Sequence, residues 1–372
     1  FEGRERGDRL LRPEGRLPEV PRQQQRLMAQ SGRGCLVGLA LLLVVALIGG
    51  YFFLRWWKKR EAPPPPSGDE LRVHVLNVGQ GDSILIIAPG GKTVLVDAGV
   101  PGSGKVVMAA LQRYGIKEID LMVATHAHAD HIGGADEVLK AVKVTTVLDS
   151  RVPNTTKNYE DFLKAIQQTG ARYVGAEPGQ KFDLGGNAQL TVLAPIQPFF
   201  KQSELRSGGN EPNANSVVTR LDYGDFSMLL TGDAEAETEE RIMSNGANVR
   251  AKILKVGHHG SKYASSEKFL RQGKFEAAII SDGESNKYGH PSQEVLDRLR
   301  KLNIKLHRTD LEGEITIISR GSGYEIKTER AASGDLWAGR VPQRDEPART
   351  GVDAAGDSVP APRQSRRNAG GR

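Results

Sequence analysis

The sequence predicts a layered α/β domain spanning residues 70–330, set behind a single membrane-spanning helix. Three observations predict it. Short β-rich runs punctuated by Gly and Pro recur from about Leu71 onward. Helical stretches fall between several of them, which is the pattern of a layered α/β fold. A block of twenty uncharged residues precedes both.

In chain order, residues 1–34 are rich in Arg, Glu, Gln, Gly and Pro, with no sustained apolar period, and read as a disordered basic arm. Residues 35–54 run CLVGLALLLVVALIGGYFFL between Arg33 and Arg55. As a helix this run rises about 30 Å, the thickness of a bilayer's hydrocarbon core. Trp56 and Trp57 follow at the interface position, with Lys58, Lys59 and Arg60 beyond. The expectation is a single-pass protein of the cell membrane. Basic residues flank the span on both sides, so charge does not orient it. Pro63 to Pro66 make the linker 55–69 a stiff spacer. Strands are expected at 72–78, 83–88, 93–99, 189–194, 216–223 and 226–230. Helices are expected at 105–113, 134–142, 159–168, 235–245, 264–271 and 292–302. Residues 331–372 are Ala, Gly, Pro, Arg, Asp and Ser with few large apolar residues, and read as a disordered tail.

A single Cys excludes an intramolecular disulfide framework and a Cys-rich zinc module. The net charge of +6 does not describe the folded body: residues 70–330 hold 32 Lys and Arg against 33 Asp and Glu. Overall charge therefore gives no argument for nucleic-acid binding. Locally, Arg250, Lys252, Lys255, Lys262, Lys268, Arg271 and Lys274 face only Glu267, and Arg298, Arg300, Lys301, Lys305 and Arg308 follow. This suggests a basic rim for an anionic substrate, set against the plain alternative of solvated helix faces.

The chemistry concentrates in THAHADHIGG (125–134), directly after the apolar run 121–124. His126 and His128 are two apart, so on extended backbone they point the same way and can grip one ion. Asp130 and His131 diverge, which suits a second ion. Asp97 closes TVLVD and Asp233 closes FSMLLTGD. An Asp ending a buried strand is costly alone and reasonable beside a cation. LKVGHHGS (254–261) repeats the arrangement of strand, histidines and Gly. Three clusters far apart in sequence point to one site at one sheet edge. His74 and His307 read as ordinary strand histidines.

These ordered motifs resemble the metallo-β-lactamase fold. VGQGDSILI (78–86), NSVVTRLDYGDFSMLLTGD (215–233), YGHP (288–291) and HRTDLEGEI (307–315) are similar to the extracellular hydrolase domain of the ComEC competence family. The resemblance covers about 70–330. It implies an αββα sandwich and a two-metal site, with His126 and His128 on the first ion, Asp130 and His131 on the second, and Asp233 bridging. His258 would be the late histidine ligand, with His259 behind it or in its place. Two positions depart from the family pattern. Asn77 stands where Asp is usual, and Asn213-Ala214-Asn215-Ser216 lacks the third-motif histidine. Either the Asn215 amide fills that place or the first ion is held weakly. Fewer imidazoles favour a harder ion, so both Zn²⁺ and Mn²⁺ are candidates.

The implied chemistry is phosphodiester hydrolysis on two divalent ions, with Asp130, His259, His290 and Lys255 in catalytic roles. His290 also reads as a loop histidine with a structural bond. The expected function is a membrane-anchored phosphodiesterase or nuclease acting on DNA, with single-stranded DNA as one candidate substrate and the domain facing outward. The alternatives are an envelope phosphodiester or lactone hydrolase of the same fold, and a degenerate metal-binding module.

Overall fold

A computed structural model describes residues 42–51, 68–206 and 209–341. In the N-terminal unit, 42–51 is helical, with its large apolar side chains exposed. No helix among the described residues is long and apolar enough to cross a membrane. The expected arm, the ends of the expected span (35–41 and 52–54), linker residues 55–67 and tail residues 342–372 lie outside the described residues.

In the second unit the strands are β1 (Leu71–Val75), β2 (Ile84–Ile87), β3 (Thr93–Val96), β4 (Glu118–Ala124), β5 (Lys143–Asp149), β6 (Arg172–Gly175), β7 (Lys181–Gly185) and β8 (Ala188–Ala194). They continue as β9 (Val218–Tyr223), β10 (Phe226–Leu230), β11 (Ile253–Lys255), β12 (Ala277–Ile280), β13 (Lys305–Arg308), β14 (Ile315–Ser319) and β15 (Glu325–Thr328). One sheet runs β15-β14-β1-β2-β3-β4-β5-β6 and the other β13-β12-β11-β10-β9-β8-β7.

The two sheets pack face to face, with helices on each outer side. Leu71, Val73, Val75, Ile84 and Ile86 of the first sheet meet Leu190, Leu221, Met228, Leu230 and Ile279 of the second. On the outer face of the first sheet, Leu85, Leu95 and Met122 pack on Val107, Leu111, Val138 and Phe162 from helices Gly104–Arg113, Ala135–Ala141 and Lys157–Thr169. On the other outer face, Leu229, Leu254 and Ala278 pack on Ile242, Phe269, Val295 and Leu299 from helices Ala236–Ser244, Glu267–Gly273 and Gln293–Lys301. Strands covered on both faces need apolar residues at every position, which is why ILII, TVLV and FSMLL do not alternate. Helix Lys157–Thr169 shows the local logic. The Thr156 hydroxyl caps its start by accepting from the Tyr159 amide, Gly170 at φ 70° ends it, and Tyr159, Phe162, Ala165 and Ile166 line its buried face.

Strands β3 to β6 are mutually parallel, as are β10 to β13. Register sets Val96 beside Val123, and Leu230 beside Lys255 beside Ile279. The carboxyl ends of both sets are therefore level, and their loops carry the histidines and strand-end carboxylates. Val217 N donates to Thr125 O at 2.8 Å, joining the two sheets there.

The ordered domain runs past the expected boundary at Arg330. Leu336 and Trp337 pack against the second outer layer. The buried Arg308 donates from Nη1 to the carbonyls of Leu336 (3.1 Å) and Ala338 (2.7 Å), so the tail expected from Ala331 is structured as far as Val341.

Candidate metal centre

Asp233 stands at the middle of the level edge. β10 is followed by Thr231 and Gly232, and Gly232 adopts φ 51°. A Cβ there would lie 2.9 Å from the Thr125 Cβ, so only glycine lets the strand exit pack on the neighbouring sheet. Asp233 is buried with four imidazoles around it. Its Oδ1 lies 3.1 Å from His131 Nε2 and 3.6 Å from His259 Nε2. Its Oδ2 lies 3.7 Å from His258 Nε2 and 3.8 Å from His126 Nε2. The Asp130 carboxylate reaches within 3.4 Å of His259 Nε2. His128, half-buried, sets Nδ1 3.0 Å from His126 Nε2.

Each of those four imidazoles is held from behind at its other nitrogen. Asp97 Oδ2 lies 2.7 Å from His131 Nδ1, and the same carboxylate accepts from the Thr125 amide and hydroxyl. His259 Nδ1 donates to Ser281 O at 2.9 Å, with Asp82 Oδ1 3.5 Å away. His126 Nδ1 is 3.1 Å from Thr125 Oγ1, and His258 Nδ1 is 2.8 Å from the buried Glu235 Oε1. Fixing one ring nitrogen so that the other points at a common centre is how proteins orient metal-ligating histidines.

The electrostatics follow from burial and charge. Burial alone would push the Asp233 carboxyl up, but His131, His259 and His258 hold it well below the usual carboxylate range. Asp130 is lowered against the same burial by His259 and His131. Burial disfavours the His131 cation, yet Asp233 and Asp97 raise its pKa well above the ordinary value. Asp233, Asp130 and Asp82 likewise bring His259 up to about 10. His126 moves well down, from burial and the repulsion of His131 and His128.

The residues present fit a divalent cation. Ligand atoms of Asp130, His131, Asp233 and His259 lie within 4.8 Å of one another. Among the described residues, His131 Nε2, His259 Nε2 and Asp233 Oδ1 are buried without a hydrogen bond. Three such atoms converging are costly unless a cation pairs them. The contact of His126 and His128 suits a common ion as well: two nitrogens on one tetrahedral ion sit about 3.3 Å apart.

The structure brings together His126, His128, Asp130, His131, Asp233, His258 and His259, and separates Lys255 and Asn215 from them. Lys255 is fully buried, pairs with Asp82 Oδ2 at 2.7 Å and donates to Val256 O. Its ammonium is thus committed away from any substrate, which corrects the catalytic role expected for it. The Asn215 amide accepts from Phe200 N and donates to the carbonyls of Phe200 and Glu211, so it ties a loop. Asn213 lies closer, with Nδ2 3.4 Å from the His258 ring and a buried Oδ1 that makes no hydrogen bond. His290 sits at the rim, edge-on to the His258 ring at 5.3 Å. Burial and the charges of His258 and His259 lower it to about 3.

Part of the expected basic rim is paired within the chain, Arg308 in the interior and Arg271 and Lys301 at the surface. Arg308 pairs with Asp310, Arg298 donates to the carbonyls of Lys262 and Ala264, and Arg271 and Lys301 share Glu267. Glu235 and Ser281 were not singled out in the sequence. Glu235 is one of four Glu within six residues (235–240), and Ser281 contributes only its carbonyl, so neither gives a sequence signal.

The model of the Metallo-beta-lactamase superfamily matches residues 76–190. The chain is 34% identical over 263 residues to ComE operon protein 3 of Bacillus subtilis (strain 168), covering 66% of this chain and 33% of that protein. It is 30% identical over 275 residues to Recombination protein 2 of Haemophilus influenzae, covering 73% of this chain and 31% of that protein. The chain thus spans about a third of the length of these curated relatives. Among solved structures, the metallo-beta-lactamase fold protein YhfI from Bacillus subtilis aligns over 64% of this chain and 95% of its own, with 13% identity and a TM-score of 0.41.

Proposed function

We propose, from the resemblance of this domain to the metallo-beta-lactamase-fold domain of the ComEC-type competence proteins, a metal-dependent phosphodiesterase that cleaves single-stranded nucleic acid. The observation that carries this reading is the convergence of four imidazole Nε2 atoms on Asp233, three of the converging buried atoms being without a hydrogen bond. His126 and His128 would hold one divalent ion and Asp130, His131 and His259 the other, with Asp233 between them. Such ions supply Lewis-acid activation of water and stabilise charge on phosphoryl oxygens.

The protein's own groups do the rest. Asp97, Ser281 and Thr125 fix the imidazoles in advance, so little reorganisation is needed when substrate binds. His290 is neutral at physiological pH, which suits it to hydrogen-bonding a substrate oxygen more than to donating a proton. Two Lys-Tyr pairs lie on the loops carrying HHGSKY and KYGH, which also bear His258, His259 and His290. Lys262 Nζ lies 5.1 Å from the Tyr263 ring centroid and Lys287 Nζ 5.3 Å from that of Tyr288. Both rings are partly exposed, and Tyr288 stacks on His290 at 5.9 Å. Aromatic faces beside cations suit the bases and phosphates of a single strand. The apolar run 35–54 supports attachment to a membrane as part of the same reading.

The test is cleavage of end-labelled single-stranded and duplex DNA by the 372-residue chain with Mn²⁺ or Zn²⁺, beside Asp233→Asn. Single-strand cleavage that falls at least a thousandfold in the variant is expected. No cleavage with either metal, while a small phosphodiester is still hydrolysed, would move the substrate to an envelope ester.

A further inference from the structure

We infer that the cleft between edge strands β13 and β15 binds the phosphate headgroup of an anionic lipid, seating the domain on a bilayer with its metal centre turned away. The inference rests on the membrane attachment read above from the apolar run 35–54, and goes beyond it by naming the surface that meets the lipid.

β13 and β15 are each the outermost strand of their sheet. A cleft of about 470 Å³ opens between them, lined by Lys252, Lys305, His307, Tyr324 and Ile326, with Glu276 among them. That volume falls within the roughly 300–1,000 Å³ of small-molecule sites. Neither ammonium has an ion-pair partner among the described residues, unlike Arg271 and Lys301, which share Glu267. His307 is held at Nδ1, 3.2 Å from the Glu312 carboxylate, and its Nε2 makes no hydrogen bond among the described residues. The carboxylate of the cleft, Glu276, accepts from the Tyr324 hydroxyl. Two uncommitted ammoniums and an imidazole, beside an aromatic and an aliphatic side chain, suit a phosphate carried on an organic group.

Lys252 and Lys305 stand at the amino ends of β11 and β13. His258 and His259 follow the carboxyl end of β11, and β11 to β13 are parallel. Cleft lysines and metal centre therefore occupy opposite edges of the second sheet. The chain enters the domain at the lysine edge. Tyr223 Oη donates to Asp69 O at 2.6 Å, Arg320 Nη2 donates to Glu70 Oε2 at 2.7 Å, and Gly321 O accepts from Asp225 N at 2.6 Å. The turn 320–324, which supplies Tyr324 to the cleft, thus holds the first residues of the domain. Residues 55–67 alone separate Gly68 from the apolar run in sequence. A bilayer holding that run is tethered to the domain at this edge, not at the edge bearing the histidines. Lysines placed there gain from the negative potential of anionic headgroups.

The test reconstitutes the 372-residue chain into phosphatidylcholine vesicles with or without phosphatidylglycerol, acetylates the lysines and reads each by mass spectrometry. Phosphatidylglycerol should slow acetylation of Lys252 and Lys305 by roughly fivefold, while Lys262 and Lys287 keep their rates. In Lys252→Gln the protection of Lys305 should largely disappear, because both ammoniums serve one headgroup. Equal rates at Lys252 and Lys305 in the two lipids would overturn the inference, even if inorganic phosphate protected both. So would a slowing shared by all four lysines. Attachment is read separately, by washing the phosphatidylcholine vesicles with salt. A chain that washes off overturns attachment through 35–54, and with it the choice of a lipid. A chain that stays but shows no headgroup-dependent protection overturns the cleft alone.

Discussion

Lys255 and Asp82 lie side by side in the buried wall behind His259, with 2.7 Å between ammonium and carboxylate. The Lys255 pairing is the chief opposing charge that keeps the Asp82 carboxyl low against its burial. Removing only one partner strands a charge in the interior. Lys255→Met should therefore cost about 3–5 kcal/mol in urea unfolding, and Lys255→Met with Asp82→Asn should recover most of it. A role in substrate binding would instead leave stability intact and raise KM. At this scale the sequence announced the carboxylates well: Asp97 and Asp233 close apolar strands, where a charge needs a reason. It could not separate His258 from His259, because which Asp233 oxygen each ring faces depends on the left-handed backbone that both adopt. Lys255 misled for a similar reason, since the strand that bears it is buried on both sides.

The loops at the strand ends show the same dependence on backbone. Gly81 has φ 139°, and a Cβ there would lie 2.2 Å from the Asp130 carbonyl oxygen. Gly81→Ala should push loop 77–83 off Asp130 and weaken metal affinity on the order of tenfold, read by calorimetry. The loop after β12 is held by Asp282. Its Oδ1 accepts from Gly283 N and Asn286 Nδ2, while Asn286 clamps the His290 backbone through both N and O. Burial, with a further push from Asp310, brings the Asp282 carboxyl up to about 7. For an acid whose folded pKa is raised, ionisation costs stability, so the fold gains as pH falls from about 7 toward the ordinary carboxylate value. Asp282→Asn should accordingly melt several degrees higher than the unsubstituted chain at pH 8, with the gap narrowing toward pH 4. The longer helices were legible from their caps and apolar spacing. The short strands β12 to β15 were not: four or five residues of AAII or EIKT carry too little pattern.

Across the whole molecule, the αββα architecture came from the ordered motifs more than from periodicity, since strands buried on both faces do not alternate. The domain's end was misplaced for a compositional reason. Residues 331–341 are mostly small or polar, and only Leu336 and Trp337 signal that they pack. Their carbonyl partners matter as much, because Arg308 is buried and donates to two of them. A chain ended at Arg330 should be less stable than one ended at Val341 by about 2–4 kcal/mol, measured by denaturant unfolding, through the guanidinium hydrogen bonds left unmade. The near-neutral balance of residues 70–330 also takes on a physical meaning here. Arg308 is paired in the interior and Arg298 caps backbone carbonyls, while Arg271 and Lys301 pair with Glu267 at the surface, so several of the rim's cations are already matched by groups of the chain itself.

The crowd of imidazoles around Asp233 makes the centre an ion exchanger. The surrounding carboxylates favour the protonated forms of His131 and His259. A divalent metal entering there would displace those protons, so loading is expected to liberate acid near neutral pH. Calorimetry in buffers of different ionisation enthalpy would count them. The same exchange would run backwards as the surroundings acidify, so metal affinity of the centre is expected to fall with pH.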